Sequence, residues 1–189
     1  MLRLACLGLV LVAFARPAKA DFFGPSSEKS GPFMLNLKLG PAFGLHDAGG
    51  AGRDAFAYSA ASLALDLGIA VTPDRRGYLL TPLQTLVGAW YTAFLFPVGF
   101  EYDFKWTPGS TFLVARFSAG YALVHTYYLR KELSFAFLLP ELGVRHVVKK
   151  RWNLGLDFIS LPIGFGKDDN GVVVSAIFYR MVFYAGVNF

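Results

Sequence analysis

After residue 30, apolar and polar residues alternate with a period of two along most of the chain. The last segment shows this most fully. Phe189, Val187, Ala185, Phe183, Met181, Tyr179 and Ile177 fall on one face; Asn188, Gly186, Tyr184, Val182, Arg180 and Phe178 fall on the other. Side chains of a strand point alternately to its two faces, so the spacing predicts a strand with one wholly apolar side. Seven earlier segments predict further strands: Phe33–Phe43, Phe56–Val71, Tyr78–Val87, Thr92–Trp106, Thr111–Val124, Ser134–Val148 and Trp152–Leu161. The Tyr78–Val87 segment holds Pro82 and alternates weakly, so its facing stays open. The connections are a glycine-rich loop at His46–Ala55, a turn at Thr72–Gly77, a short link at Gly88–Tyr91, a turn at Thr107–Ser110, a loop at His125–Leu133, a turn at Lys149–Arg151 and a loop at Pro162–Gly171.

The pattern gives an all-β, up-and-down antiparallel array of eight strands. Charges sort by the same parity. Lys38, Asp66, Glu101, Asp103, Lys105, Arg116, Glu141, Arg145, Asp157 and Arg180 each oppose an apolar row. Five are acidic and five basic, so they can neutralise one another on a shared face.

Composition decides what the apolar rows touch. Hydrophobic residues make up 54% of the chain and charged residues 16%, against about 25% charged in an average soluble domain. Mean hydropathy is +0.45. Past residue 20, no uncharged apolar run reaches the roughly 18 residues of a membrane-spanning helix. A strongly apolar chain without such a helix has one other membrane solution, a closed barrel, because closure leaves no backbone group unpaired in lipid. The apolar rows then face acyl chains and the ten charges face the lumen. An eight-stranded barrel is just wide enough for its interior side chains to fill it. The charge network therefore reads as a plug or a very narrow pore, not a general porin. The competing arrangement is a soluble barrel of the lipocalin sort, with the apolar rows inside.

The N-terminus reads as an export signal. Met1-Leu2-Arg3 is a basic start, Cys6–Ala15 an apolar run of ten residues, and Ala18-Lys19-Ala20 a small-residue cleavage site. Residues 1–20 are the expected signal peptide, 21–32 a periplasmic lead-in and 33–189 the barrel domain. The processed chain keeps 169 residues and no cysteine, since Cys6 is the only one. It carries 15 basic and 13 acidic residues, so a sequence pI near 9.4 is poor support for nucleic-acid binding.

The signal, the alternation, Pro97-Val-Gly-Phe-Glu-Tyr102, Pro140-Glu-Leu-Gly-Val-Arg145 and the terminal Phe189 resemble small eight-stranded bacterial outer-membrane barrels of the OmpA/OmpX-like or OmpW-like kind. The resemblance implies a Gram-negative outer-membrane location with both termini periplasmic, and an envelope-structural, adhesive or narrow-pore role. It implies contact with outer-membrane lipid and lipopolysaccharide, and recognition by the barrel-assembly machinery through a terminal signal at Phe183, Val187 and Phe189. A monomer is expected, with no nucleic-acid partner.

Some such barrels are enzymes. The lipid A deacylase type uses Ser, His and a carboxylate on the lipid-facing rim. Here Ser134, His125 and Glu132 are the candidates, with Ser as nucleophile and His as base. In that type the Ser follows the His by two residues, where this chain has Tyr127. The non-enzymatic reading is therefore the primary one. His46, Asp47 and Asp54 in the glycine loop and His146 alone make no metal-ligand set, and no cofactor is expected.

Overall fold

Burial follows the alternation. Along Ala60–Ala70 every second residue is buried, from Ala60 through Gly68. The computed structural model describes residues 31–48, 60–89, 91–106, 110–127, 131–167 and 173–189. These form ten strands: β1 (Phe33–Ala48), β2 (Ala60–Ala70), β3 (Gly77–Leu80), β4 (Leu83–Gly88), β5 (Tyr91–Lys105), β6 (Thr111–Thr126), β7 (Lys131–Val148), β8 (Trp152–Ser160), β9 (Ile163–Lys167) and β10 (Val173–Asn188). The expected signal peptide and nearly all of the lead-in lie outside the described residues.

All pairings are antiparallel. β3 and β4 each pair with β2 and β5, so they are two halves of one stave. In the same way β8 and β9 both pair with β7 and β10. The ten strands thus make eight staves, each beside its sequence neighbours, and β1 pairs with both β2 and β10 to close the ring. The fold is an eight-stranded up-and-down β-barrel.

Both broken staves break at a proline. Pro82 separates β3 from β4 and Pro162 separates β8 from β9. A proline has no N–H to give to the ladder, so pairing lapses there. Facing survives the first break: Tyr78, Leu80, Gln84 and Leu86 are all buried, which settles the segment whose facing the sequence left open. In the other stave a β-bulge lies opposite Leu142/Gly143, and the buried set shifts from Asn153 and Asp157 to Ser160. A bulge inserts one residue and so switches parity.

Several expected loops shrink. β9 occupies half of Pro162–Gly171, where a connection was expected. β6 and β7 extend into His125–Leu133, with Thr126 opposite Lys131. β1 runs on to Ala48. Glycine and proline at 162–171 suggested a loop, but pairing on both sides holds Ile163–Lys167 extended.

Candidate functional site: the charged lumen

Register builds the site. Glu101 of β5 lies opposite Arg116 of β6, Arg116 opposite Glu141 of β7, Glu141 opposite Ser160 of β8, and Ser160 opposite Arg180 of β10. One row around the inner wall therefore reads acid, base, acid, hydroxyl, base. Nearer the turn end a second row places Lys105, Phe112, Arg145, Gly155, Tyr184 and Lys38 side by side.

All ten predicted charges lie inside, none more than 9% exposed. Lys38 Nζ is 2.8 Å from Asp66 and 2.9 Å from Asp157. Arg116 reaches Glu101 at 2.6 Å, Asp157 at 2.8 Å and Glu141 at 3.2 Å. Arg145 bridges Glu101 at 2.7 Å and Asp103 at 3.0 Å. Arg180 meets Glu141 at 3.1 Å and donates to Gln84, Ser62 and Ser160. Lys105, at the turn-end mouth, is the least buried of the ten. Desolvating this many ions is tolerable only when each is paired and hydrogen-bonded, and these contacts cross staves far apart in sequence.

Three features of the lumen have no counterpart in the charge pattern. The Tyr184 ring lies under three cations, with Lys38, Arg116 and Arg145 at 5.5–5.8 Å from its centroid. Its hydroxyl donates to the Val144 carbonyl at 3.3 Å. The ring can lie there because Gly155 has no side chain: a Cβ at that position would collide with Tyr184 Cζ and Oη. Second, toward the turn end, Asn153 of β8 donates to Asn36 of β1 and exchanges hydrogen bonds with Asn188 of β10, the stave between them. Third, toward the loop end the described lumen side chains become apolar. Leu86, Tyr91, Leu95, Phe135, Phe137 and Leu139 pack with Ala42, Ala60, Ala93 and Ala122 into a dry tier. The signal for this tier was present, since Phe135, Phe137 and Leu139 share parity with Glu141 and Arg145.

The outer wall is apolar, with Leu39, Leu63, Phe96, Val98, Phe117 and Phe183 between 48% and 59% exposed. At the turn end Phe33, Trp106, Trp152 and Phe189 all point outward. At the loop end Tyr127 is exposed, whereas Tyr91 is 8% exposed and faces inward, in parity with Ala93 and Leu95. Of the terminal-signal residues, Phe183 and Phe189 are exposed and Val187 is half-buried.

The rim candidates are close in register. His125 is opposite Glu132 and Leu123 is opposite Ser134, so Ser134 is the diagonal neighbour of His125. His125 and Ser134 are exposed on the outer wall, and the His125 ring meets Tyr127 edge-on at 5.6 Å. Far away, His146 Nδ1 is 2.9 Å from the Thr111 hydroxyl. Among the described residues, no three His, Asp or Glu are placed to hold a metal ion.

No known protein-family profile matches the chain, and no curated protein matches its sequence. Solved structures do match. Neisserial surface protein A (NspA) superposes with a TM-score of 0.61 at 14% identity, over 84% of this chain and 97% of that one. The N-terminal β-barrel domain of Pseudomonas aeruginosa OprF gives 0.54 at 15% identity, over 84% and 98%. The chain therefore shares the barrel fold of these proteins along nearly their whole length.

Proposed function

We propose that the chain is an integral outer-membrane β-barrel with a side-chain-filled, charge-paired lumen, acting as a structural or interaction protein of the envelope or as a very narrow pore. One observation carries the reading: the barrel is inside-out relative to a soluble protein. Large apolar side chains cover its wall while ten charged side chains are buried in its interior. A soluble monomer rarely exposes a contiguous apolar patch beyond a few hundred Å². In a bilayer the same wall is matched by acyl chains. A lipocalin-like barrel needs the opposite facing.

The lumen supports a closed state. The ionic belt spans the ring and the dry tier backs it toward the loop end, so an ion must break paired charges and cross an apolar constriction. Recognition then falls to the loops, with lipopolysaccharide and outer-leaflet lipid as surroundings, periplasmic termini and the assembly machinery as folding partner. The test is folding into vesicles followed by planar-bilayer recording. Heat-modifiable migration on a gel and no sustained conductance steps support the reading. Steady, large steps refute the closed lumen, and a chain that stays soluble without detergent refutes the membrane barrel.

A further inference from the structure

Among the described residues, three that are not glycine have positive φ: Arg75 at 54°, Lys149 at 48° and Lys150 at 62°. All three are basic, and all three lie in turns at the same end of the barrel. L-residues with a side chain reach this region at a cost. Lys149 and Lys150 are the two central residues of the β7–β8 hairpin, closed by Arg151 N–H donating to the Val148 carbonyl at 3.1 Å. Successive positive φ values make this a type I′ turn, which favours Asn-Gly. Turn geometry therefore does not account for two lysines. Arg75 is held in its conformation by a built turn: its N–H donates to the Thr72 carbonyl at 2.9 Å, and the Gly77 N–H donates to the Thr72 hydroxyl at 2.8 Å. Strained backbone kept by its surroundings points to a role for the residue kept there.

The surroundings indicate the role. Arg75, Lys149, Lys150 and Arg151 are all exposed. Asp74 is the acidic neighbour, and it is engaged inside its own turn by the Thr72 hydroxyl and the Arg76 N–H. Trp152 directly follows Arg151 and is 58% exposed; Trp106, directly after β5 at the same end of the barrel, is 61% exposed. Exposed tryptophans on a barrel wall mark headgroup depth. Basic side chains just beyond them sit at the level of lipid phosphates, where each Lys or Arg gains from an anionic surface.

We propose that the turn end of the barrel is an electrostatic docking surface for anionic phospholipid headgroups, carried by Arg75, Lys149, Lys150 and Arg151. The inference rests on the membrane-barrel reading. It predicts selective lipid neighbours at this rim, and it explains why cations occupy backbone positions that glycine or asparagine would fill at lower cost.

The test uses the processed chain with Trp90→Phe, so that Trp106 and Trp152 report alone. It is folded into phosphatidylcholine vesicles containing either brominated phosphatidylglycerol or brominated phosphatidylcholine at equal mole fraction. Brominated phosphatidylglycerol is expected to quench with a relative association about threefold higher or more. The preference should collapse in 1 M salt, where the screening length is about 3 Å. Lys149→Asn/Lys150→Gly should lose most of the preference yet melt at a higher temperature. Arg75→Gly and Arg151→Gln give the same readout should that hairpin variant not fold. Equal quenching by the two lipids, or a preference untouched by these substitutions, overturns the inference while leaving the barrel intact. Failure to insert into vesicles overturns the membrane reading and this inference with it.

Discussion

Phe33 and Phe189 close the barrel on each other. The amide of each donates to the carbonyl of the other at 3.0 Å, and their rings stack with centroids 6.0 Å apart. The first and last residues of the ladder thus form one end of the seam. The ring contact sits at the start of the β1–β10 register, next to Met34↔Asn188. Phe189→Ala keeps the backbone bonds and removes the ring pair, which is worth about 0.5–1.5 kcal/mol beyond area burial. The expected outcome is a loss of about 1 kcal/mol in urea unfolding from vesicles and a slower approach to the heat-modifiable form. Unchanged folding kinetics and stability would show that the ring pair does not set the seam.

Glu141 is the hub of the ionic belt. It meets Arg180 at 3.1 Å, Arg116 at 3.2 Å and Lys38 at 3.5 Å, and it accepts from the Ser160 hydroxyl at 2.8 Å. Glu141→Gln leaves buried cations short of a counter-charge and is expected to cost about 3–5 kcal/mol. Adding Arg180→Gln should restore part of that loss, giving a coupling of about 0.5–3 kcal/mol in a double-mutant cycle. Simple additivity would mean that the two residues do not act as a pair.

Gly155 and Tyr184 form a second testable pair. Gly155→Ala places a methyl where the phenol ring lies. The ring must shift, loosening its bond to the Val144 carbonyl and its position beneath the three cations. The expected cost is about 1–3 kcal/mol. It should be smaller in a Tyr184→Leu background, where no phenol is displaced. An equal cost in both backgrounds would place the strain at the Val144 backbone carbonyl, which the added methyl also crowds.

Val98 sits at the middle of β5 and is 56% exposed. Val98→Arg should cost about 2–4 kcal/mol in bilayers, the value for a cation on the lipid face at the midplane. In a soluble barrel an exposed valine-to-arginine change is close to neutral, so the measured stability separates the two settings.

The fold was legible because a period of two is a local property. Along β2, β5 and β7 the facing could be read residue by residue, and the ring of eight followed from the count of such segments. What was not legible depended on a partner strand. Gly and Pro around 162–171 looked like a loop, but β9 is held straight by β7 on one side and β10 on the other. The parity switch that buries Ser160 comes from a bulge opposite Leu142/Gly143, which has no local signature. Parity also placed ten charges on one face without saying who meets whom. Lys38 of β1 pairs with Asp157 of β8 over the intervening β10, and that distance depends on how far the staves are staggered. Phe135, Phe137 and Leu139 share the face of the charges, but their gathering with residues of other staves into one dry tier depends on the stagger of the ring.

The most direct measurement of the outward apolar wall uses the absence of cysteine after residue 6. Single cysteines at Phe100, Phe183 and Val182 carry a nitroxide in the vesicle-folded chain. Collisions with oxygen, which partitions into lipid, are compared with collisions with a water-soluble nickel complex. Labels at Phe100 and Phe183 should be oxygen-accessible and shielded from nickel, while the label at Val182, buried in the lumen wall, should meet neither. Free access of nickel to the Phe100 and Phe183 labels would contradict the account.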